Sequence, residues 1–161
     1  MTEAAGSSVL PFVCAAVTAA SAGFAADLAV ERLGVSLTNV RRAAQSIALL
    51  GPAALILALT MHPTQPVAEA LFCGCTALGA FSAAGFGCSS QDIAGSKYSG
   101  LIYGATSAPA LLVGAAGVQL VGILLDITDK DFTLMFQLTA AVDVAGALAY
   151  FAWWDSERLF E

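Results

Sequence analysis

Five long apolar runs, separated by short polar connections, organise this chain of 161 residues. A helix needs about 20 apolar residues to cross the hydrocarbon core of a bilayer. The runs that reach that length are about 9–30, 43–61, 67–88, 98–125 and 132–154. None of them alternates polar and apolar positions as a membrane strand does. The pattern therefore predicts an all-α integral membrane protein with five transmembrane helices, in which residues 1–161 form a single domain.

The segment 89–117 joins a polar stretch to a run with small residues at helical spacing. We expect the polar stretch to be a short loop; it holds Gln91, Asp92 and Lys97. Within the apolar run, Gly100, Gly104 and Gly114 are positions at which two helix backbones can approach closely inside a bilayer. Pro109 removes one backbone donor, so a kink is expected there.

The composition supports the membrane class and excludes others. Charged residues make up 11% of the chain, against about 25% in soluble domains, and the mean hydropathy is +0.81. The net charge of −6 and the absence of a basic patch speak against nucleic-acid binding. The sequence contains no nucleophile–base set, paired-carboxylate site, phosphate loop or metal-ligand cluster, so we expect no enzymatic activity.

The basic residues predict the orientation. The loops after the first and third spans and the tail after the fifth lie on the same side of the membrane. They carry Arg32, Arg41, Arg42, Lys97 and Arg158. The opposite side has Lys130 among Asp126, Asp129 and Asp131. The positive-inside rule then places the Arg32–Arg42 loop on the cytoplasmic, stromal or matrix side.

The first connection holds Gly23, Asp27, Arg32, Arg41 and Arg42. A glycine, an aspartate four residues later and then basic residues resemble a helix-connecting motif of the major facilitator superfamily. Further similarity lies in Gln45-Ser46-Ile47, in Gln91-Asp92-Ile93-Ala94, and in Tyr98-Ser99-Gly100 with Gly104. Together these segments resemble the C-terminal half of the anion:cation symporter branch, which includes plastid-type phosphate transporters. The resemblance covers 9–154 and implies that the five helices correspond to helices eight to twelve of that family.

The sequence differs from the family pattern in ways that bear on its function. The family has two six-helix halves, whereas this sequence contains no counterpart of the first half or of the helix that begins the second. Ser89 and Ser90 stand where the family usually has asparagine, and Gly95, Ser96 and Lys97 stand where it has proline and arginine. Such transporters bind substrate between their halves. We therefore do not expect transport by this chain alone.

Two loop clusters and one intramembrane carboxylate are candidate sites. Asp27 with Arg32, Arg41 and Arg42 is interpreted as an ion-pair cluster, with an anion or lipid-headgroup patch as the rival. Asp92 with Lys97 is interpreted in the same way. Asp143 lies in the middle of the fifth span, where charge is costly, so it should face protein, water or a ligand. Its two interpretations are a protonated or hydrogen-bonded aspartate at a helix–helix or subunit contact, which we favour, and a proton or cation site.

His62, the single histidine, is either an interfacial loop residue or an axial ligand to a pigment. Chlorophyll, carotenoid or lipid at the periphery are therefore the cofactors considered, and no metal is expected. Cys14, Cys73, Cys75 and Cys88 are interpreted as small packing residues rather than as a disulfide framework.

Two functions remain open. The leading hypothesis is a transporter-derived, non-transporting subunit that packs against other subunits of a larger membrane complex. An algal photosystem in the thylakoid membrane is the first choice, and a mitochondrial inner-membrane complex is the second. The alternative is the C-terminal segment of a phosphate or organic-anion symporter. Comigration on a mild-detergent gel with a pigmented complex, or with the remaining transporter helices, distinguishes the two.

Overall fold

The computed structural model describes residues 2–128 and 131–157, without the side chains of residues 2–8 and of Ser96. These residues form five α-helices and one short 3-10 helix, and the described ranges contain no strand. The α-helices are α1 (Thr2–Glu31), α2 (Leu37–Leu59), α3 (Gln65–Gly79), α4 (Phe86–Ile127) and α5 (Thr133–Trp153), and the 3-10 helix is Ala80–Ala83. The all-α prediction is confirmed. Asp129, Lys130 and Arg158, on which the predicted orientation partly depends, lie outside the described residues.

Within the described residues, five stretches are long and apolar enough to cross a membrane, as the sequence predicts. They are Val9–Glu31, Leu37–Leu59, Gln65–Gly95, Lys97–Ile127 and Thr133–Trp153. The third stretch is composite, because it contains α3, the 3-10 helix and the beginning of α4. The fourth stretch is the remainder of α4.

The predicted polar loop around Gln91 and Asp92 is wrong, since both residues lie within α4. The break in α4 is at Gly95 alone, with φ 57° and ψ −171°, a backbone conformation that is essentially restricted to glycine. We call residues 86–94 the first arm of α4 and residues 97–127 its second arm. One glycine suffices for the turn, so the polar residues before it can remain helical.

The second arm folds back alongside the first. Ser89 and Ile93 of the first arm line the same small cavity as Ile102 and Thr106 of the second. Pro109 lies inside the second arm, where the φ/ψ values remain helical. The non-helical position of α4 is therefore not at the proline, where the sequence predicts a kink.

The link between α1 and α2 is short and ordered by local hydrogen bonds. The amide of Val35 donates to the Ala29 carbonyl over 3.2 Å, and Gly34 has a φ of 64°. A glycine in the left-handed region is a common way for a helix to end, and the bond from Val35 closes the chain back onto the last turns of α1. The Ser36 hydroxyl then accepts from the amide of Asn39, over 3.4 Å, at the start of α2.

Small residues form the centre of the bundle. Ala22 and Ala26 of α1, Val40 and Ala44 of α2, and Ala84 before α4 are buried against one another. Short side chains allow helix backbones to approach closely, and inside a bilayer van der Waals packing of this kind supports helix association.

The predicted close packing at Gly100, Gly104 and Gly114 is not formed within the described chain. A Cβ built at any of the three would meet nothing within 4 Å. The second arm of α4 lies at the edge of the bundle, with none of its membrane-length window buried. The glycines in tight contact are instead Gly51 against Leu78, Gly74 against Leu55, and Gly85 against Gln45.

The connections gather at two ends of the bundle. One end holds the α1–α2 link, the Gly95 turn and the residues after α5. There Arg41 of α2 contacts Asp92, and Arg42 contacts Trp154. The other end holds His62, whose φ is 51°, and Asp131. Asp131 accepts from the Thr133 amide over 2.9 Å and from its hydroxyl over 2.7 Å. The hydrogen bond from the Thr133 amide has the largest effect on Asp131. Together with the bond from the Thr133 hydroxyl and the nearby His62, it holds the pKa of Asp131 below its usual value.

Candidate ion-pair site between the second, fourth and fifth helices

Arg41 in the second turn of α2 is the centre of the site. Its Nε donates to Oδ2 of Asp92 over 2.7 Å, and its Nη2 donates to Oδ1 over 3.3 Å. The third guanidinium nitrogen, Nη1, donates to the Ala84 carbonyl over 2.8 Å. Arg41 therefore contacts both the segment that leads into α4 and the first arm itself.

The pair is shielded from its surroundings. The side chain of Arg41 is 11% exposed and that of Asp92 is 12% exposed. Burying a single unpaired charge is strongly destabilising, whereas a two-pronged arginine–carboxylate pair satisfies both partners. The Ala84 carbonyl accepts a further guanidinium hydrogen. The arrangement specifies how α2 and α4 are aligned.

Gln45 lies one turn after Arg41 on the same face of α2 and contacts the start of α4. Its Oε1 accepts the amide of Phe86 over 3.0 Å. That amide is at the beginning of a helix, where no intrahelical carbonyl is available. A Cβ at Gly85 would lie 2.7 Å from Oε1 and 2.9 Å from the backbone nitrogen of Gln45. The glycine is therefore needed for the close approach of the two segments.

Ser89 connects the first arm of α4 to α5. Its hydroxyl lies 3.0 Å from the Tyr150 hydroxyl and 3.3 Å from the Gly85 carbonyl, to which it donates. Ser89 is buried, with 4% of its surface exposed. Ser89 thus takes part in the contact between these helices.

Arg42 connects α2 to the end of α5. Its Nε and Nη2 both donate to the Trp154 carbonyl, over 2.9 and 2.6 Å. The guanidinium also lies 5.6 Å from the centre of the Phe151 ring, a cation–π distance. The carbonyls of a last helical turn lack intrahelical donors, so an arginine beside them is favourable.

The residues after α5 are held by further contacts. Tyr150 and Trp154 stack with ring centres 5.3 Å apart. Thr38 of α2 donates to a carboxylate oxygen of Asp155 over 2.9 Å, and its hydroxyl lies 2.7 Å from that of Ser156. The chain after α5 is therefore positioned against the beginning of α2.

The Trp154 indole is one polar group that the site does not satisfy. Its Nε1 is buried and has no hydrogen-bond partner among the residues that the structure describes. Trp154 borders the cavity of about 60 Å³ between the two arms of α4, together with Ser89, Ser90 and Thr106. A cavity of this size has room for water.

The structure brings Arg41 to Asp92, which is 51 residues away, and not to Asp27. Asp27 and Arg32 are exposed, and neither forms an ion pair within the described ranges. A Cβ placed on Gly23 would meet nothing within 4 Å. The interpretation of Asp27 as the carboxylate of this cluster is therefore replaced by Asp92, because the fold and not sequence proximity sets the pairing.

The remaining members of the second loop cluster lie apart from the ion pair. Lys97 places its Nζ 5.0 Å from the centre of the Tyr98 ring, so Asp92 pairs with Arg41 and not with Lys97 as the sequence suggested. Gln91 is exposed. Tyr150 and the Ala84 and Trp154 carbonyls complete the site, but sequence reasoning missed them. Backbone carbonyls carry no sequence signal, and an aromatic residue near the end of a span is ordinarily interpreted as an interfacial anchor.

The other candidate residues lie elsewhere in the bundle. Asp143 is half-buried and borders a groove of about 240 Å³ between α5 and the second arm of α4. His62 is exposed in the link between α2 and α3, and its role as a pigment ligand stays a prediction. No group of three or more His, Cys, Asp and Glu side chains with metal-binding geometry occurs in the described part of the chain.

The fold and site define a multi-helix membrane protein whose second, fourth and fifth helices are joined at one end by buried polar contacts. The chain is 33% identical over 162 aligned residues to "Probable anion transporter 4, chloroplastic" of Oryza sativa subsp. japonica. It is 33% identical to "Ascorbate transporter, chloroplastic" of Arabidopsis thaliana, also over 162 residues. It is 31% identical over 155 residues to "Sodium-dependent phosphate transport protein 1, chloroplastic" of Arabidopsis thaliana. No protein-family model matches the chain.

These alignments confirm the resemblance to anion transporters of the plastid type. They cover 96–100% of this chain but 27–29% of the three relatives' own lengths. The relatives favour the symporter interpretation over a photosystem subunit, and they give no support to a thylakoid or mitochondrial complex.

Proposed function

We propose that these five helices form part of an anion transporter in a plastid membrane, acting on small anions such as phosphate or ascorbate. The observation that carries this proposal is the similarity over the whole chain to transporters of chloroplasts. The five membrane-length stretches support the same conclusion. Because the chain spans less than a third of those relatives, transport requires further helices.

In this proposal the buried polar contacts make the helices move together. Arg41 joins α2 to α4, Ser89 joins α4 to α5, and Arg42 joins α2 to the end of α5. Transporters with two helical halves work by rocking one half against the other around a central site. A half that moves in this way must keep its own helices aligned, which is what these contacts would do.

The uncovered faces indicate where the remaining helices would pack. The second arm of α4 exposes apolar side chains such as Leu111 and Val118 along its length, and its glycines Gly100, Gly104 and Gly114 are open. A helix face with accessible glycines suits close packing by another membrane helix. In this proposal the partner is the rest of the transporter.

A chimera tests the proposal directly. The aligned region of the Arabidopsis ascorbate transporter would be replaced by the 161-residue chain, and uptake of labelled ascorbate measured in proteoliposomes. We expect uptake above that of empty liposomes. The variant Arg41→Gln should reduce uptake, and Arg32→Gln, which changes an exposed arginine, serves as its matched control.

Two results would contradict the proposal. The first is a chimera that is monodisperse in detergent and inserted in the membrane, yet carries neither ascorbate nor phosphate. The second is uptake of either anion by the 161-residue chain reconstituted alone, because the helices would then need no others.

A further inference from the structure

Asp143 places a carboxyl group at the centre of a membrane-length helix. It lies ten residues after the start of α5 at Thr133 and ten residues before its end at Trp153. At 1.5 Å per residue this is roughly 15 Å from either end, which is the middle of a bilayer core about 30 Å thick. An ionisable group at this depth is costly unless another group pairs with it.

The described part of the chain provides Asp143 with neither a hydrogen bond nor an ion pair. Thr139, one turn earlier in α5, donates its hydroxyl to the Met135 carbonyl over 2.9 Å. The Cys75 thiol of α3 is within electrostatic range of the carboxyl, but it donates towards the Pro52 carbonyl over 3.9 Å. Both of these neighbouring polar groups are therefore engaged elsewhere.

The basic residues of this sequence do not lie at the depth of Asp143. All six lysines and arginines, and His62, are within five positions of the end of a membrane-length stretch. A second copy of the chain would for the same reason bring no positive charge to the carboxyl. A cationic partner for Asp143 must therefore come from a different polypeptide segment.

The carboxyl borders an open groove between α5 and the second arm of α4. This groove has a volume of about 240 Å³ and is lined by apolar side chains such as Leu120 of the arm and Leu138 and Val142 of α5. These three side chains are exposed. Thr139 and Asp143 are the polar residues of the lining. The groove therefore combines an apolar surface with one unpaired carboxyl.

The groove separates two helices that follow one another in the chain. The second arm of α4 ends at Ile127 and α5 begins at Thr133. Helices joined by so short a connection are ordinarily antiparallel neighbours. Here α5 packs on α2, and none of the membrane-length window of the second arm is buried. The space between the two spans is therefore suited to a further helix.

We propose that this groove is the seat of a transmembrane helix from the part of the transporter outside these residues, and that this helix presents an amide or basic side chain to Asp143. The inference rests on the proposed function, because more than two thirds of the length of each compared transporter lies outside the aligned region. Inside a bilayer, side-chain hydrogen bonds between helices contribute to their association. The apolar walls and the unpaired carboxyl thus favour the same partner.

The test compares the 161-residue chain with the chimera described above, each in liposomes. Dicyclohexylcarbodiimide is a lipid-soluble reagent that modifies protonated carboxyl groups within a bilayer. An unpaired carboxyl in an apolar environment takes up a proton, so we expect an adduct on Asp143 in the chain alone. In the chimera the additional helix should lower this labelling several-fold. Peptide mass spectrometry locates the adduct, and Asp143→Asn is the control that should show none at this position.

Thermal unfolding in detergent provides a second measurement, with opposite expectations for the two proteins. In the chain alone, Asp143→Leu removes an unpaired polar group, so the unfolding midpoint should stay the same or rise. In the chimera the same change leaves the donor of the additional helix unsatisfied, so the midpoint should fall. Asp143→Asn retains an acceptor oxygen and should lower the midpoint of the chimera less than Asp143→Leu.

Ascorbate uptake by the same chimera separates this inference from the proposed function. Equal labelling of Asp143 in the chain alone and in a chimera that transports overturns the helix seat and leaves the function standing. Protection of Asp143 in a chimera without uptake supports the seat and counts against the function.

Two further results overturn the helix seat. The first is an unlabelled Asp143 in the chain alone, because a second copy or the chain itself would then cover the groove. The second is a chimera whose unfolding midpoint is not lowered by Asp143→Leu.

Discussion

Gly85 lies so close to Gln45 that a methyl group at the glycine would stand 2.7 Å from Oε1 and 2.9 Å from the backbone nitrogen of Gln45. Moving the glutamine side chain relieves the first contact but not the second. This relationship sets the distance between α2 and the beginning of α4, on which the hydrogen bond from Phe86 to Gln45 depends.

The variant Gly85→Ala should therefore lower the thermal stability of the detergent-solubilised protein. Overpacking of this kind typically costs about 1–3 kcal/mol, because the backbones must separate. Gly23→Ala is the matched control, since a Cβ at this helical position meets nothing within 4 Å. The two variants are compared by thermal unfolding, and equal midpoints would argue against the close approach.

Removing one partner of the ion pair should be more costly than removing both. Arg41→Gln leaves the Asp92 carboxylate buried and unpaired, and we expect a loss of about 3 kcal/mol. Adding Asp92→Asn removes the uncompensated charge, so the double variant should lose less than the sum of the single variants. Arg32→Gln should have little effect. Additive losses in a double-mutant cycle would show that the two residues do not interact.

Replacing Gly95 with alanine should be destabilising because of the backbone conformation alone. Gly95→Ala forces a side chain into φ 57° and ψ −171°, at a cost of about 1–3 kcal/mol, although no atom lies near its Cβ. Gly100→Ala, which is equally open but helical, should be neutral or stabilising. Hydrogen exchange of the amides in 93–99 measures the difference, and equal protection in both variants would contradict the prediction.

Arg42 should hold the residues that follow α5 through geometry and not through charge alone. Arg42→Lys keeps the positive charge but loses the paired donation to the Trp154 carbonyl. We expect faster hydrogen exchange in 154–157 in this variant, with exchange in α1 unchanged. Arg32→Lys is the control, because this arginine is exposed at the same end of the bundle. Identical exchange in 154–157 for both variants would exclude the role.

Asp131 predicts a pH dependence at the opposite end of the bundle. Its pKa is lowered in the folded protein, chiefly by the amide of Thr133, so its contribution to stability is present above the unfolded pKa of about 4 and is lost as the pH falls. Asp131→Asn retains an acceptor oxygen but cannot titrate. The decline in unfolding temperature with falling pH should therefore be shallower in Asp131→Asn than in the wild type. Parallel curves for the two proteins would contradict this origin.

The apolar pattern predicted the number and approximate position of the membrane-length helices, because span length is a local property of composition. The same pattern wrongly predicted a polar loop before Gly95, and the reason for this error is also local. A cluster of polar residues between two apolar runs suggests a loop, whereas here one glycine makes the turn and Asp92 remains helical.

The pairing within the site could not be predicted, because it depends on tertiary structure. Asp27 is nearer to Arg41 in sequence, but α2 and α4 bring Asp92 to the guanidinium. Similarly, helical spacing identified Gly100 and Gly104 as packing positions without indicating which helix would cover them. Among the described glycines the closest contacts are at Gly51, Gly74 and Gly85, where α2 meets α3 and the start of α4.

The turn at Gly95 joins two consecutive membrane-length stretches without a connecting loop. A long surface connection would let one crossing slide or rotate while its neighbour stayed in place. Here a displacement of Lys97 and the residues beyond it is passed at once to Asp92, three positions before the turn, and so to Arg41. The exposed edge helix is thereby mechanically coupled to an ion pair enclosed within the bundle.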